Sequence, residues 1–144
     1  MRFTIILAIA LLSLASKCKE APEGLVQVDY DETFSLAPGE SAALQSSQEV
    51  GFRFDAITAE SRCPTGVNCM RAGEVKFQVT FADGSSREIE HPAGSRRPTT
   101  FSLSSEAEVV VNAVDPYPSN EERASFDVYR LQATIIRRAN RTDS

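Results

Sequence analysis

Short apolar segments in period-two alternation recur along this chain, and they constrain its fold more than any other feature. The clearest segment runs from Val75 to Phe81, where every second side chain is apolar and those between are polar. This period is typical of a β-strand with one buried face, whereas an amphipathic helix repeats about every 3.6 residues. No segment of useful length shows the helical period. The pattern therefore predicts an all-β fold.

Turn signals separate the alternating segments at intervals of about ten residues. A Pro-Gly pair at 38–39, an Asp-Gly pair at 83–84 and two prolines within residues 115–120 mark three of these turns. The other strand candidates cover residues 25–30, 34–36, 50–57, 86–90, 100–103, 107–114 and 126–135. Together they predict an antiparallel, immunoglobulin-like β-sandwich of about seven or eight strands, formed by residues 25–138.

Some segments carry more specific expectations. Three consecutive valines at 109–111 predict a strand that is buried on both faces. In the last strand, which is expected to begin at Phe126, a bulge near Arg130 would change the buried face. His91 is expected in a polar turn. Tyr117, between two prolines, is either part of a rigid turn packed on the edge of the sandwich or an exposed recognition spot.

The N-terminus has the features of a secretory signal peptide. Arg2 is followed by an apolar run, residues 3–14, which ends at the small residues Ala15 and Ser16. A membrane-spanning helix needs roughly twenty apolar residues, so this run is too short for a permanent span. We therefore predict a signal peptide at 1–17, a short charged tether at 18–24 and a disordered polar tail at 139–144.

Two processing sites compete at the end of the signal peptide. Ser13-Leu14-Ala15 is a small-x-small pattern that would release a soluble protein beginning at Ser16. The stretch that ends at Cys18 resembles a bacterial lipobox, in which a lipid is attached to the cysteine, although Lys17 departs from the small residue normally found there. An uncleaved amphiphilic anchor is the third alternative. The expected location is the bacterial cell envelope, the periplasm or the medium.

The three cysteines support export and leave one thiol over. Cys63 and Cys69 are separated by five residues that include a proline and a glycine, which help the chain to turn back. In an oxidising compartment this spacing predicts a disulfide that staples the crossing between a strand ending near Ala59 and one beginning near Gly73. A redox or metal site is the competing interpretation, but the spacing is not that of a disulfide oxidoreductase. Cys18 then stays unpaired unless lipidation uses it.

The cysteine segment carries a distinctive signature. Its matching residues are Ser61, Arg62, Cys63, Pro64, Val67, Cys69, Ala72 and Gly73. In these residues the chain resembles a family of small bacterial exported proteins and lipoproteins, and the resemblance extends over about residues 34–136. Family members commonly have an acidic residue just before the signature, here Glu60, and a tryptophan at the position of Arg71. The resemblance implies export but no particular activity.

The same segment is the candidate binding site. A rigid, disulfide-closed loop can present an extended segment to a partner. Its candidate contact residues are Arg62, Pro64, Val67, Met70 and Arg71. A sharper alternative makes residues 62–70 the inhibitory loop of an inhibitor of exported proteases, with Arg62 or Arg71 as the anchoring side chain. Arg62 could instead pair with Glu60, Glu74 or a backbone carbonyl under the loop.

Charge and composition disfavour several classes of function. The chain has 15 Lys and Arg against 20 Asp and Glu, a net charge of −5, and loss of Arg2 and Lys17 with the signal peptide would leave −7. An acidic domain argues against a nucleic-acid partner. With one histidine and no nucleophile motif, we expect no cofactor, no metal site and no catalysis; an enzyme with a loop-built site is a minority alternative. The expected partner is another envelope or secreted protein, with membrane contact only through a lipid anchor or the signal segment.

Overall fold

Nine β-strands make up most of the chain described by the computed structural model, which covers residues 24–120 and 124–138. The strands are β1 Leu25–Val28, β2 Thr33–Leu36, β3 Ser41–Leu44, β4 Ser47–Glu60, β5 Glu74–Phe81, β6 Ser86–Pro92, β7 Thr99–Ser102, β8 Ala107–Asp115 and β9 Arg130–Arg137. A single 3₁₀ turn, Phe126–Val128, precedes β9. In this part of the chain no helix has the length and apolar character needed to cross a bilayer. The predicted signal peptide, Cys18 with the tether up to residue 23, and the tail from 139 lie outside the described residues.

The strands form two sheets, and the predicted antiparallel β-sandwich is confirmed. The first sheet has the order β1-β3-β4-β5-β6 and the second the order β2-β9-β8-β7. Adjacent strands run antiparallel except β1 and β3, which are parallel. Each sheet contains a run of consecutive hairpins, from β3 to β6 and from β7 to β9. This strand order differs from that of immunoglobulin domains, which combine strands A, B, E and D in one sheet and C, F and G in the other.

The core lies between the two sheets and follows the alternation of the sequence. In β5, Val75, Phe77 and Val79 are fully buried, as the period-two pattern predicts. Phe52 of the first sheet meets Phe101 of the second edge to face, with ring centroids 5.2 Å apart. Aromatic rings favour this geometry, so the pair contributes contact energy beyond the burial of its apolar area.

Two predictions for the second sheet are wrong. Val109 and Val111 of β8 point into the core, but Val110 is half-buried on the other face, so the strand is not buried on both faces. The last strand begins at Arg130 and not at Phe126, because residues 126–128 form the 3₁₀ turn. This turn, and not a bulge, changes the face that is buried.

The structure also corrects the prediction for His91, which lies in β6 and not in a turn. Its Nδ1 atom lies 3.0 Å from the hydroxyl oxygen of Thr99 at the start of β7. These two residues therefore bridge the ends of the connection that joins the first sheet to the second.

Candidate functional site

The connection between β4 and β5, residues 61–73, forms one end of the sandwich and is termed the cysteine loop below. The predicted disulfide is confirmed: Cys63 and Cys69 are bonded, with their Cα atoms 5.9 Å apart. The Cys63 N–H donates to the Ala72 carbonyl over 2.8 Å, and the Ser61 N–H donates to the Glu74 carbonyl over 2.9 Å. Backbone hydrogen bonds thus hold the two ends of the loop together as its base, and the disulfide closes the part of the loop beyond this base.

Ser61 and Gly73, two residues of the signature, shape this base. The Ser61 hydroxyl donates to the Glu74 carbonyl over 2.9 Å and accepts the Glu74 N–H over 3.1 Å. Gly73 has a φ of 73°, and a Cβ atom there would lie 1.9 Å from the Ser61 carbonyl oxygen. Only glycine fits this close approach of two backbone segments.

Arg62 is the one buried charged side chain among those that the structure describes, with 5% of its surface exposed. Its Nε donates to both carboxylate oxygens of Glu60, over 2.9 and 3.0 Å, and its Nη2 contacts the same carboxylate. Nη1 donates to the Val114 carbonyl over 2.7 Å, and Nη2 donates to the Pro116 carbonyl over 3.1 Å. Arg62 therefore ties the cysteine loop to the end of β8.

Tyr129 and Tyr117 complete the surroundings of this ion pair. The Tyr129 hydroxyl donates to the Glu60 carboxylate over 3.1 Å, and the side chain is 2% exposed. The Tyr117 ring lies over the Arg62 guanidinium, whose carbon is 4.8 Å from the ring centroid. A cation over an aromatic face is attracted by the ring quadrupole. We term Glu60, Arg62 and Tyr129 the buried cluster. Through the bonds of Arg62 to residues 114 and 116, it joins the start of the cysteine loop, the end of β8 and the segment before β9.

The electrostatics of the buried cluster keep its hydrogen bonds in place at neutral pH. Burial disfavours the charge on Arg62, but the hydrogen bond and attraction to Glu60 outweigh this effect and raise the Arg62 pKa. Burial, followed by repulsion from the Glu60 carboxylate, also raises the pKa of Tyr129. The Tyr129 hydroxyl accordingly keeps its proton and donates a hydrogen bond to Glu60. No buried side-chain nitrogen or oxygen of the described residues lacks a hydrogen-bond partner.

These contacts separate the predicted contact residues of the loop into two groups. Arg62 pairs with Glu60 and with backbone carbonyls, two of the alternatives that the sequence left open, and its side chain is buried and not at the surface. Pro64 is half-buried, while Val67, Met70 and Arg71 are exposed. The part of the loop that a partner can touch is therefore its tip beyond Pro64.

An exposed apolar surface includes residues of this tip. It consists of Val67, Met70, Tyr117, Phe126 and Val128, which are all of the large apolar side chains that are exposed in the described residues. We term it the apolar surface. Its members come from the cysteine loop, the segment after β8 and the 3₁₀ turn.

These three segments lie against one another. The Thr65 N–H donates to the Pro118 carbonyl over 3.0 Å, and Thr65 and Ser119 form an isolated β-bridge. A groove of about 520 Å³ runs between the segments, with Pro64, Pro118 and Phe126 among its lining residues. The sequence pattern missed Phe126 and Val128 as surface residues because their spacing also fits a strand. Tyr117 both packs at the edge of the sandwich and remains 43% exposed.

The described residues contain no group of three His, Cys, Asp or Glu side chains that could hold a metal ion. The His91 ring has the Thr99 hydroxyl as its partner, and no serine or carboxylate takes that place. Comparison of the chain with models of protein families, with curated proteins and with solved structures finds no match. The site is therefore interpreted from its own geometry.

Proposed function

We propose that this chain is a non-catalytic, exported domain of the bacterial cell envelope that binds another protein through the apolar surface. The observation that carries the proposal is that the exposed large apolar side chains all lie on three segments that contact one another. Single apolar residues are ordinary on a protein surface, whereas a contiguous patch marks an interaction site. Tyrosine, phenylalanine and methionine are also the side chains that protein interfaces favour.

The rigidity beneath the apolar surface supports the same function. The disulfide holds the tip of the cysteine loop, and Arg62 holds its start against β8. A surface that is already ordered loses little conformational entropy when a partner binds. The apolar side chains can therefore act as preformed anchors for a protein ligand.

The proposed location in the envelope rests on the disulfide and on the N-terminal sequence. Disulfides persist in secreted and periplasmic proteins and are rare in the cytosol. Intact-mass spectrometry of membrane and soluble fractions distinguishes the two forms of export. A diacyl or triacyl adduct on a chain that begins at Cys18 identifies a lipoprotein, and an unmodified chain that begins near Ser16 identifies a diffusible protein.

The contacts of Arg62 weaken the version of this proposal in which the loop inhibits a protease. The guanidinium would have to leave Glu60 and two backbone carbonyls to enter a protease pocket. Arg71 is exposed and remains the available anchor. A panel of trypsin-like and papain-like proteases at micromolar concentrations of the chain tests this version directly.

Co-purification from envelope extracts tests the main proposal. The experiment compares the natural chain with a Val67→Ser/Met70→Ser double variant, which removes two exposed apolar side chains at the tip of the cysteine loop. The matched control is Ala82→Ser, in the exposed turn after β5 at the other end of the sandwich. We expect one stoichiometric partner with the natural chain and the control, and its loss with the double variant. Equal recovery by all three proteins would contradict the proposal.

A further inference from the structure

A second groove lies along an open edge of the second sheet. β7 pairs with β8 only from Thr99 opposite Val111 to Ser102 opposite Glu108. Beyond Val111, β8 continues to Asp115 and pairs with β9 on its other side. Residues 112–115 therefore have no strand neighbour on the β7 side within the described part of the chain.

The shape of this groove shows that it follows the backbone edge of β8. It has a volume of about 490 Å³, and residues 110–115 of β8 line it together with the connection between β6 and β7. Successive side chains of a strand point to opposite faces of the sheet. A groove that touches every one of these consecutive residues runs along the edge of the strand and not over one face. We term it the edge groove.

The connection that forms the opposite wall is held away from β8 by its own hydrogen bonds. The Ala93 N–H donates to the Gly73 carbonyl over 3.0 Å, which fixes the connection to the start of β5. The Ser95 hydroxyl donates to the Arg97 carbonyl and accepts the Arg97 N–H. Together with the contact between His91 and Thr99, these bonds hold residues 93–98 in an arched connection, which is termed the arch below. These bonds keep the connection apart from the edge of β8.

Arg62 identifies which side of β8 faces the edge groove. Its Nη1 donates to the Val114 carbonyl, and Arg62 also lines the edge groove. In a strand the N–H and C=O of one residue point to the same side. The Val114 backbone therefore faces the edge groove, and a side chain supplies there the donor that a neighbouring strand would normally supply.

From this arrangement we propose that the edge groove binds an extended, acidic peptide segment of a partner protein, which adds as a strand to β8 beyond the end of β7. Main-chain hydrogen bonds to a free strand edge supply the affinity in this mode of recognition, and alternate side chains supply the specificity. The edge groove has Tyr117 in common with the apolar surface, but the proposal rests on β8 and on the connection between β6 and β7 and not on the exposed apolar side chains.

The charged side chains around the edge groove indicate the chemistry of the peptide segment that it binds. Arg97 lines the edge groove and Arg96 precedes it, and both are exposed on a chain whose net charge is −5. Asp115, the acidic residue of the lining, already accepts a hydrogen bond from Gln132 over 2.8 Å. A segment with Asp or Glu opposite the arch therefore gains attraction, and small residues such as Ala93 and Ala113 leave room for its other side chains.

A random peptide library displayed on phage and selected on the purified chain tests the proposal. We expect enrichment of β-branched residues with at least one Asp or Glu. A synthetic peptide of the enriched sequence should shift the backbone amide signals of residues 93–98 and 112–114 in a ¹⁵N spectrum. No enrichment, or shifts centred on Val67 and Phe126, would overturn the proposal; the second outcome would leave the apolar surface as the binding site.

Two further measurements separate strand addition from simple charge attraction. Arg97→Glu should lower the affinity for the acidic peptide by about tenfold, and a peptide with Lys at the acidic position should restore it. Arg138→Glu, just after β9, should leave the affinity unchanged. Methylation of the peptide backbone nitrogens one at a time should abolish binding at every second position. Loss of binding without this alternation would overturn strand addition.

Discussion

The Tyr129 hydroxyl donates a hydrogen bond to the Glu60 carboxylate over 3.1 Å and joins the two sheets at one end of the sandwich. Glu60 is the last residue of β4 in the first sheet, and Tyr129 directly precedes β9 in the second. Arg62 adds its bonds to the same carboxylate and to β8. The buried cluster therefore fixes the three segments that carry the apolar surface, and its integrity can be measured as stability.

Removal of Arg62 should strongly destabilise the fold. Arg62→Met leaves the Glu60 carboxylate without its cation and two carbonyls without a donor, and breaking a buried pair in this way costs about 3 to 5 kcal/mol. Arg53→Met is the control, because Arg53 pairs with Asp55 at the surface and such pairs contribute about 0 to 1 kcal/mol. Urea denaturation gives both free energies of unfolding. A loss with Arg62→Met no larger than that of the control would contradict the structural role of the cluster.

The disulfide should contribute to stability without determining the fold. Cys63 and Cys69 close a short ring, for which the loss of unfolded-state entropy corresponds to about 2 kcal/mol. We expect the Cys63→Ala/Cys69→Ala variant to keep the far-ultraviolet circular dichroism of the natural chain and to unfold at lower urea concentration. An unfolded variant would show instead that the sandwich depends on this bond.

Two glycines with similar backbone angles should respond very differently to alanine. Gly73→Ala places a Cβ atom against the Ser61 carbonyl oxygen, so the base of the cysteine loop must open; we expect a loss of at least about 3 kcal/mol. Gly94 has a φ of 66° but no atom within 4 Å of the added Cβ, so Gly94→Ala should cost only about 1 kcal/mol. Thermal unfolding of the two variants checks this order. Equal losses would mean that the close approach at Gly73 does not exist.

His91 should make stability depend on pH in the mildly acidic range. Burial, and then the nearby charge of Arg62, lower its pKa below the usual 6.5. The unfolded chain therefore binds the proton more readily, so stability is lost as pH falls below 6.5 and continues to fall until the folded pKa is reached. His91→Gln should remove this part of the pH dependence. The signal of the one histidine in a proton spectrum reports the folded pKa, and a midpoint above 6.5 would contradict the prediction.

Period-two alternation predicted β5 and the other strands with branched or aromatic side chains, and it placed the disulfide between two strands. It did not predict β3. Ala42 and Ala43 have low β-propensity, and they form a strand because they are buried between β1 and β4. The 3₁₀ turn was missed because Phe126 and Val128 also fit a strand pattern.

Only those contacts of the candidate site that join residues close together in the sequence could be predicted. Glu60 is two residues from Arg62, so their pairing could be anticipated. Val114 and Tyr129 lie 52 and 69 residues away from the groups that they bind. Contacts at such separations follow from how the two sheets pack, which no spacing within the signature reveals.

Site-specific photo-crosslinking in cells of the natural host tests the central claim most directly. A photoreactive phenylalanine analogue is placed at Met70, at Val67 or, as the control, at Ala82 in the turn at the other end of the sandwich. We expect the same discrete protein adduct from Met70 and Val67, and none from Ala82. An adduct that forms equally well from Ala82, or its absence at both positions of the apolar surface, would contradict it.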